Sequence, residues 1–162
     1  MFDLVFVTLD AEECSRYRDW FHDPELARRI NYPDSDWFDY ISTSPHVHTW
    51  MIYAEVGPVG VIQFEKNNRQ ASFSIAVNRR LRGQGYGKRI MRAFLTLPEV
   101  RAVSCVHAGV ELDNLQSMRC LQAAGFTLQS TIPDEHGFLE FVYHFNRAQA
   151  DADQAEAEQE QS

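Results

Sequence analysis

Val77-Asn78-Arg79-Arg80-Leu81-Arg82-Gly83-Gln84-Gly85-Tyr86-Gly87-Lys88-Arg89 runs from the end of an apolar extended segment, through a glycine loop, into a helix. Three glycines at alternate positions let the backbone turn tightly, and a loop that opens into a helix leaves N–H groups pointing beyond the helix start. Such a loop suits an anionic diphosphate. Between Arg79 and Arg92 stand six basic side chains and no acidic one, in a chain with 15 Lys and Arg against 23 Asp and Glu. A turn followed by a solvated basic helix face accounts for either feature alone. Strand, glycine loop, helix and charge together point to a phosphate-bearing ligand.

Two phosphate loops are excluded by spacing. A P-loop needs four residues between its glycines and Ser or Thr after the lysine, whereas Arg89 follows Lys88 here. A dinucleotide fingerprint needs GxGxxG inside a βαβ unit, whereas this loop is GxGxG. It also comes after consecutive strands with short turns. Trp50 to Glu55, Val59 to Glu65 and Ala71 to Val77 read as those strands, punctuated by Gly57-Pro58 and Asn67-Asn68.

Outside the meander, Phe2 to Val7 reads as a strand, and Asp10 with Glu13 as a capping box opening a helix to Trp20. Asp23-Pro24 starts a second helix. From Asn31 to His48 periodicity fades while Tyr32, Trp37, Phe38 and Tyr40 accumulate, so a long aromatic loop or irregular helix is expected. Gly87 to Leu97 reads as helix ended by Pro98, Val103 to Val110 as a strand, and Asn114 to Ala124 as a helix with Leu115, Met118 and Leu121 on one stripe. Phe126 to Ile132 and Phe138 to Phe145 close the pattern as strands. The fold class is α/β in the α+β sense: one mixed, mostly antiparallel central sheet flanked by helices.

The glycine loop, as Arg82-Gly83-Gln84-Gly85-Tyr86-Gly87, resembles the (Arg/Gln)xxGx(Gly/Ala) signature of the GNAT superfamily of acetyl-CoA-dependent N-acetyltransferases. Asn114-Leu115-Gln116-Ser117 through Gly125-Phe126 is similar to the same family's NxxSxxxxxxxGF pattern. The order of elements also looks like that family over nearly the whole body. The resemblance implies acetyl-CoA as co-substrate and no metal. It implies that the backbone of Ile75, Ala76 and Val77 pairs with pantetheine, that Arg82, Gly83, Gln84, Gly85, Tyr86, Gly87 and Lys88 cradle the pyrophosphate, and that Asn114 and Ser117 face the cofactor arm. A backbone N–H near Val77 would polarise the thioester carbonyl.

Acid and base are where the chain departs from the family. The strand position where many members carry a glutamate falls at Ala71 or Ser72, and the position of the usual tyrosine acid is Leu121. Ser117 is the nearest hydroxyl to the departing sulfur, or an ordinary small helix residue. Glu65, Glu111 and His107 are the base candidates, with solvated or core roles as the plainer readings. Tyr32 and Trp37 stand as candidates for acceptor binding, or for packing.

The function expected is transfer of the acetyl group to a primary amine, on a small molecule or a protein N-terminus, by direct attack in a ternary complex. A non-catalytic acyl-CoA-binding or regulatory module on the same scaffold is the alternative, motivated by the missing glutamate and tyrosine. At 162 residues the chain suits one domain, assigned to 1–147, with an acidic tail over 148–162. The net charge of −8 argues against a nucleic-acid partner or an anionic membrane surface. No apolar run reaches the roughly 18–20 residues of a membrane span, and Met1-Phe2-Asp3-Leu4 lacks a basic signal-peptide start, so a cytoplasmic location is expected. Cys14, Cys105 and Cys120 show no CxxC spacing and are expected to be reduced, with Cys120 a packing residue; His46 and His48 are read as loop histidines rather than ligands. The edge of the final strands is a candidate surface for a homodimer.

Overall fold

The computed structural model describes residues 3–145; the tail expected at 148–162 lies outside them. Seven strands form one sheet in the order β1-β2-β3-β4-β5-β7-β6. They are β1 (Val5–Thr8), β2 (Val47–Ala54), β3 (Gly57–Asn67), β4 (Gln70–Val77), β5 (Cys105–Glu111), β6 (Thr127–Leu128) and β7 (Phe138–His144). Every pairing is antiparallel except that of β4 with β5. The helices are α1 (Ala11–Asp19), α2 (Pro24–Arg29), α3 (Ser35–Thr43), α4 (Tyr86–Phe94), α5 (Pro98–Arg101) and α6 (Leu115–Ala123).

Strand alternation sorts the side chains into two cores. Ile62 and Phe64 on β3, Ala71 and Phe73 on β4, and Val106, Ala108 and Val110 on β5 meet Ile90, Met91 and Phe94 of α4 and Leu121 of α6. On the opposite face Val47, Met51, Val61 and Ala76 receive Cys14, Tyr17, Leu26 and Ile41 from the first three helices. The connection from β3 to β4 turns at Asn68, which takes a positive φ of 59°. Gly60 lies where α4 crosses the sheet: a Cβ there would stand 2.8 Å from Ile90 Cδ1 and 3.1 Å from the Ala76 carbonyl. That close approach sets α4 down on the sheet beside the glycine loop.

Several boundaries differ from the sequence reading. The Asn31 to His48 segment is no irregular loop: Asp34 caps a regular α3 by accepting from the Trp37 amide at 2.9 Å, and β2 already starts at Val47. The aromatics obscure an ordinary cap. The strand expected over Phe126 to Ile132 shrinks to Thr127–Leu128, because only those residues pair with β7 and Ile132 is 78% exposed. Pro98, read as a stop, instead occupies the first turn of α5. Leu115 leaves its expected stripe and is 57% exposed. The capping box is half formed: Asp10 accepts from the Glu13 amide, but the Glu13 carboxylate turns to Arg16 and the Tyr53 hydroxyl.

Candidate active site

Strand β4 pairs with β5 only through Gln70–Ser72, opposite Cys105–His107. Beyond Ser72 the two parallel strands part. The β4 backbone from Phe73 to Val77 therefore keeps its ladder with β3 while, among the described residues, no strand lies beside its other edge. This is the stretch holding Ile75, Ala76 and Val77, and an open edge with free amides and carbonyls accepts an extended amide-bearing chain as a strand would.

The glycine loop stands at the end of that edge. After a short 3-10 turn over Arg79–Leu81, Gly83 and Gly85 take φ of 77° and 88°, conformations that disfavour side-chain-bearing residues. Asp10, Asp23, Asp34 and Asn114 cap α1, α2, α3 and α6 with their side chains, whereas the α4 N-cap is Gly85 and carries none. The first-turn amides of α4, with Gln84, Gly85 and Lys88 exposed around them, form an uncapped positive helix end. Space around both glycines is open, with nothing within 4 Å of a Cβ built at either. An anionic diphosphate fits that cradle.

The basic cluster is partly spoken for. Arg82 pairs with the buried Asp23 at 2.6 Å, and Arg89 with Glu55 at 3.1 Å while lying over the Tyr86 ring. Arg79, Arg80, Lys88 and Arg92 are exposed. Nothing in the sequence announces the Asp23–Arg82 pair, since no local pattern joins residues so far apart in the chain. It ties the α2 cap to the glycine loop. Burial opposes ionisation of Asp23, but the Arg82 hydrogen bond and charge, the Glu25 amide and the Arg79 charge outweigh it and hold the carboxyl below its ordinary value. A depressed folded-state pKa adds stability above the unfolded value and loses it as pH falls through the folded one. Asp23→Asn, which keeps a capping side chain, is expected to lower Tm by about 2–6 °C at pH 7. The gap should persist down to about pH 4 and close only as pH falls further, through the depressed folded-state value at which the wild-type carboxylate takes its proton; thermal melts across that range check it.

At the other lip Asn114 caps α6, its Oδ1 accepting from the Ser117 amide at 3.3 Å, and Ser117 is half-buried one turn in. Leu121, at the position of the family's tyrosine, is buried in the core. Cys120 is half-buried behind the loop, its Sγ 3.3 Å from where a Gly87 Cβ would stand, and burial raises its thiol pKa against the opposing pull of Lys88. Packing explains it.

Of the base candidates, Glu111 sits 3.5 Å from Arg29, within a cluster where Arg28 and Arg29 also reach Asp113 at 3.2 and 3.1 Å. Glu65 accepts from the Tyr40 hydroxyl and lies 3.5 Å from His46. His107 is held between Glu140, 2.7 Å from Nδ1, and the Cys105 sulfur, 3.4 Å from Nε2. The three do not converge. Ser72, by contrast, shares the Glu65 face and registers with both Glu65 and His107. Ala71 points into the opposite core.

On the helix face of the splayed β4, a small open cleft is walled by Tyr17, Trp37, Ile30, Pro33, Val61 and Ala76, with Asn31, Gln63 and Ser74 as its polar members. Trp37 donates from Nε1 to Gln63 Oε1 at 3.0 Å. Tyr32, the other aromatic candidate, is 55% exposed and packs edge-on against Phe21 without lining the cleft. Sequence reasoning misses Tyr17 and Gln63, whose signals are only those of core and strand residues. Among the described residues no group of three or more His, Cys, Asp or Glu is placed to hold a metal ion, and no helix is long and apolar enough to cross a membrane.

Known proteins share this fold. The chain superposes on the aminoglycoside acetyltransferase AAC(6')-Ib in complex with paromomycin and acetyl-CoA with a TM-score of 0.75 at 15% identity, over 88% of this chain and 94% of that one. It superposes on the Campylobacter jejuni N-acetyltransferase PseH in complex with acetyl coenzyme A with a TM-score of 0.67 at 15% identity, over 90% of this chain and all of that one. At such identities the likeness speaks for the fold. In sequence, the chain is 32% identical over 139 residues to Uncharacterized N-acetyltransferase YfmK of Bacillus subtilis (strain 168), covering 85% of this chain and 94% of the relative. The profile of the Acetyltransferase (GNAT) family matches residues 14–126, from the first helix through Gly125-Phe126. The split between β4 and β5, the uncapped glycine-loop helix and these matches together place the chain in the GNAT family, as an acetyl-CoA-dependent N-acetyltransferase.

Proposed function

We propose that the acetyl group passes directly to a primary amine while donor and acceptor are bound together, across the opening between β4 and β5. The observation that carries this is the parting of those strands after Ser72, which leaves one β4 edge for the donor and sets the Ser74 and Ala76 side chains in a separate cleft for the acceptor. A donor along the edge of β4 and an acceptor over its face then meet at one strand, within the reach that direct transfer requires. Acetyl-CoA supplies the activated thioester. The Ile75 to Val77 backbone holds its pantetheine arm, the amides from Arg82 through Lys88 its diphosphate, and Asn114 fixes the start of α6 beside it.

Ser117 is assigned the proton delivered to the departing thiolate, because it is the hydroxyl on the α6 turn that Asn114 orders. Ser117→Ala is expected to lower kcat by about 10²-fold, with acetyl-CoA affinity unchanged within about twofold. Steady-state kinetics beside calorimetric titration separates the two. Glu65 and Glu111 flank the acceptor side, and either can drain the amine proton through water; neither lines the cleft itself. Titration with acetyl-CoA, followed by amine-dependent release of free thiol, tests the whole reading. No binding at hundreds of micromolar would overturn it.

A further inference from the structure

Building on that acetyl-transfer reading, we infer that the acceptor is a peptide α-amine whose first residue carries an apolar side chain. The inference starts from the charge of the cleft. None of its lining residues is Asp, Glu, His, Lys or Arg. Of the ionic groups near them in the chain, Arg18 donates from Nε to the Pro33 carbonyl at 2.7 Å, Arg29 holds Glu25 and Asp113, Asp34 caps α3, Glu65 holds Tyr40 and His46, and the exposed Asp36 does not line the cleft. An ammonium entering here loses water and meets no counter-charge, so the cleft admits the amine in its neutral form.

That condition discriminates strongly among amines. At pH 7 an α-amine with a pKa of about 7.7–8.0 is roughly 10–17% neutral, whereas a lysine-like amine near 10.4 is neutral only about 0.04% of the time, a difference of roughly 200–400-fold. A protein that offers no cleft carboxylate therefore favours the amine that needs least help. The walls select the side chain beside that amine. Tyr17 and Trp37, with Ile30, Val61 and Ala76, present aromatic and aliphatic surface suited to an apolar group.

The polar members select the group on the carboxyl side of that first residue. Because Gln63 Oε1 accepts from Trp37, the Gln63 amide is oriented, and its NH2 remains free to donate. An NH2 donor beside the Ser74 hydroxyl matches the carbonyl of a first peptide bond. No cation lines the cleft to match the free carboxylate of an amino acid. A peptide N-terminus satisfies all three features.

The test compares four acceptors at pH 7.0 with acetyl-CoA saturating: a leucyl-glycyl-glycine amide, leucine, Nα-acetyl-lysine amide and spermidine. The expected result is kcat/KM for the peptide at least about 50-fold above the lysine derivative and spermidine, and above leucine. Equal or faster turnover of spermidine, the lysine derivative or leucine overturns the inference while leaving acetyl transfer standing. Thiol release with none of them overturns the inference alone, and no acetyl-CoA binding overturns both. Gln63→Glu supplies the missing carboxylate and is expected to narrow the peptide-to-spermidine ratio at least tenfold. An unchanged ratio in a folded Gln63→Glu protein also overturns the inference.

Discussion

Gly85→Asp is expected to weaken acetyl-CoA binding at least about 100-fold, a loss of about 2.7 kcal/mol, while moving Tm by only a few degrees. Gly85 is exposed, and a Cβ at this position would meet nothing within 4 Å, so the change introduces no clash. Its effect comes from two other causes. The φ of 88° strains any residue with a side chain, at roughly 1–2 kcal/mol. More important, a carboxylate at the start of α4 occupies the amides that the glycine leaves uncapped and repels the diphosphate. Gly85→Ala separates the two causes, since it carries the strain without the charge, and should lose about tenfold or less. Calorimetric titration of both variants gives the comparison. Equal losses would mean that loop conformation, rather than the open helix end, holds the donor.

Phe94→Ala is expected to cost about 3–5 kcal/mol of folding stability. Phe94 is fully buried, and its ring meets those of Trp50, Phe64 and Phe73 at centroid distances of 6.4, 5.8 and 4.9 Å. Those partners come from β2, β3 and β4, so one side chain anchors α4 across three strands. Truncation leaves a cavity that the sheet cannot close by moving. Denaturant titration should show the lower midpoint, and acetyl-CoA added at saturation should offset part of the loss, because a ligand that binds only the folded state stabilises it. A loss below about 1 kcal/mol would show that α4 is held chiefly by Ile90 and Met91.

The legible parts of this protein are those with a local physical cause. Alternation makes strands of β3, β4 and β7; Asp23-Pro24 makes a helix start; alternate glycines before Lys88 make a loop with an open helix end. Where the local signal is crowded, the sequence misleads. Asp34 is a cap as plain as Asp10, yet the aromatics after it, which serve the cleft and the second core, hide the helix they belong to. β6 fails for the opposite reason: its residues are strand-like over a long run, but a strand exists only where a partner is in register.

From sequence by itself come the glycine loop, the two family-like motifs, the missing glutamate and tyrosine, and the order of the elements. These depend on neighbours a few residues apart. Tertiary structure alone decides which groups meet. It pairs Arg82 with Asp23, locks His107 between Glu140 and Cys105, sets Glu111 against Arg29, and builds an uncharged cleft from Tyr17, Trp37, Gln63 and Ser74. Such meetings result from strand register and from the line along which β4 leaves β5, and both are set by packing between segments far apart in the chain.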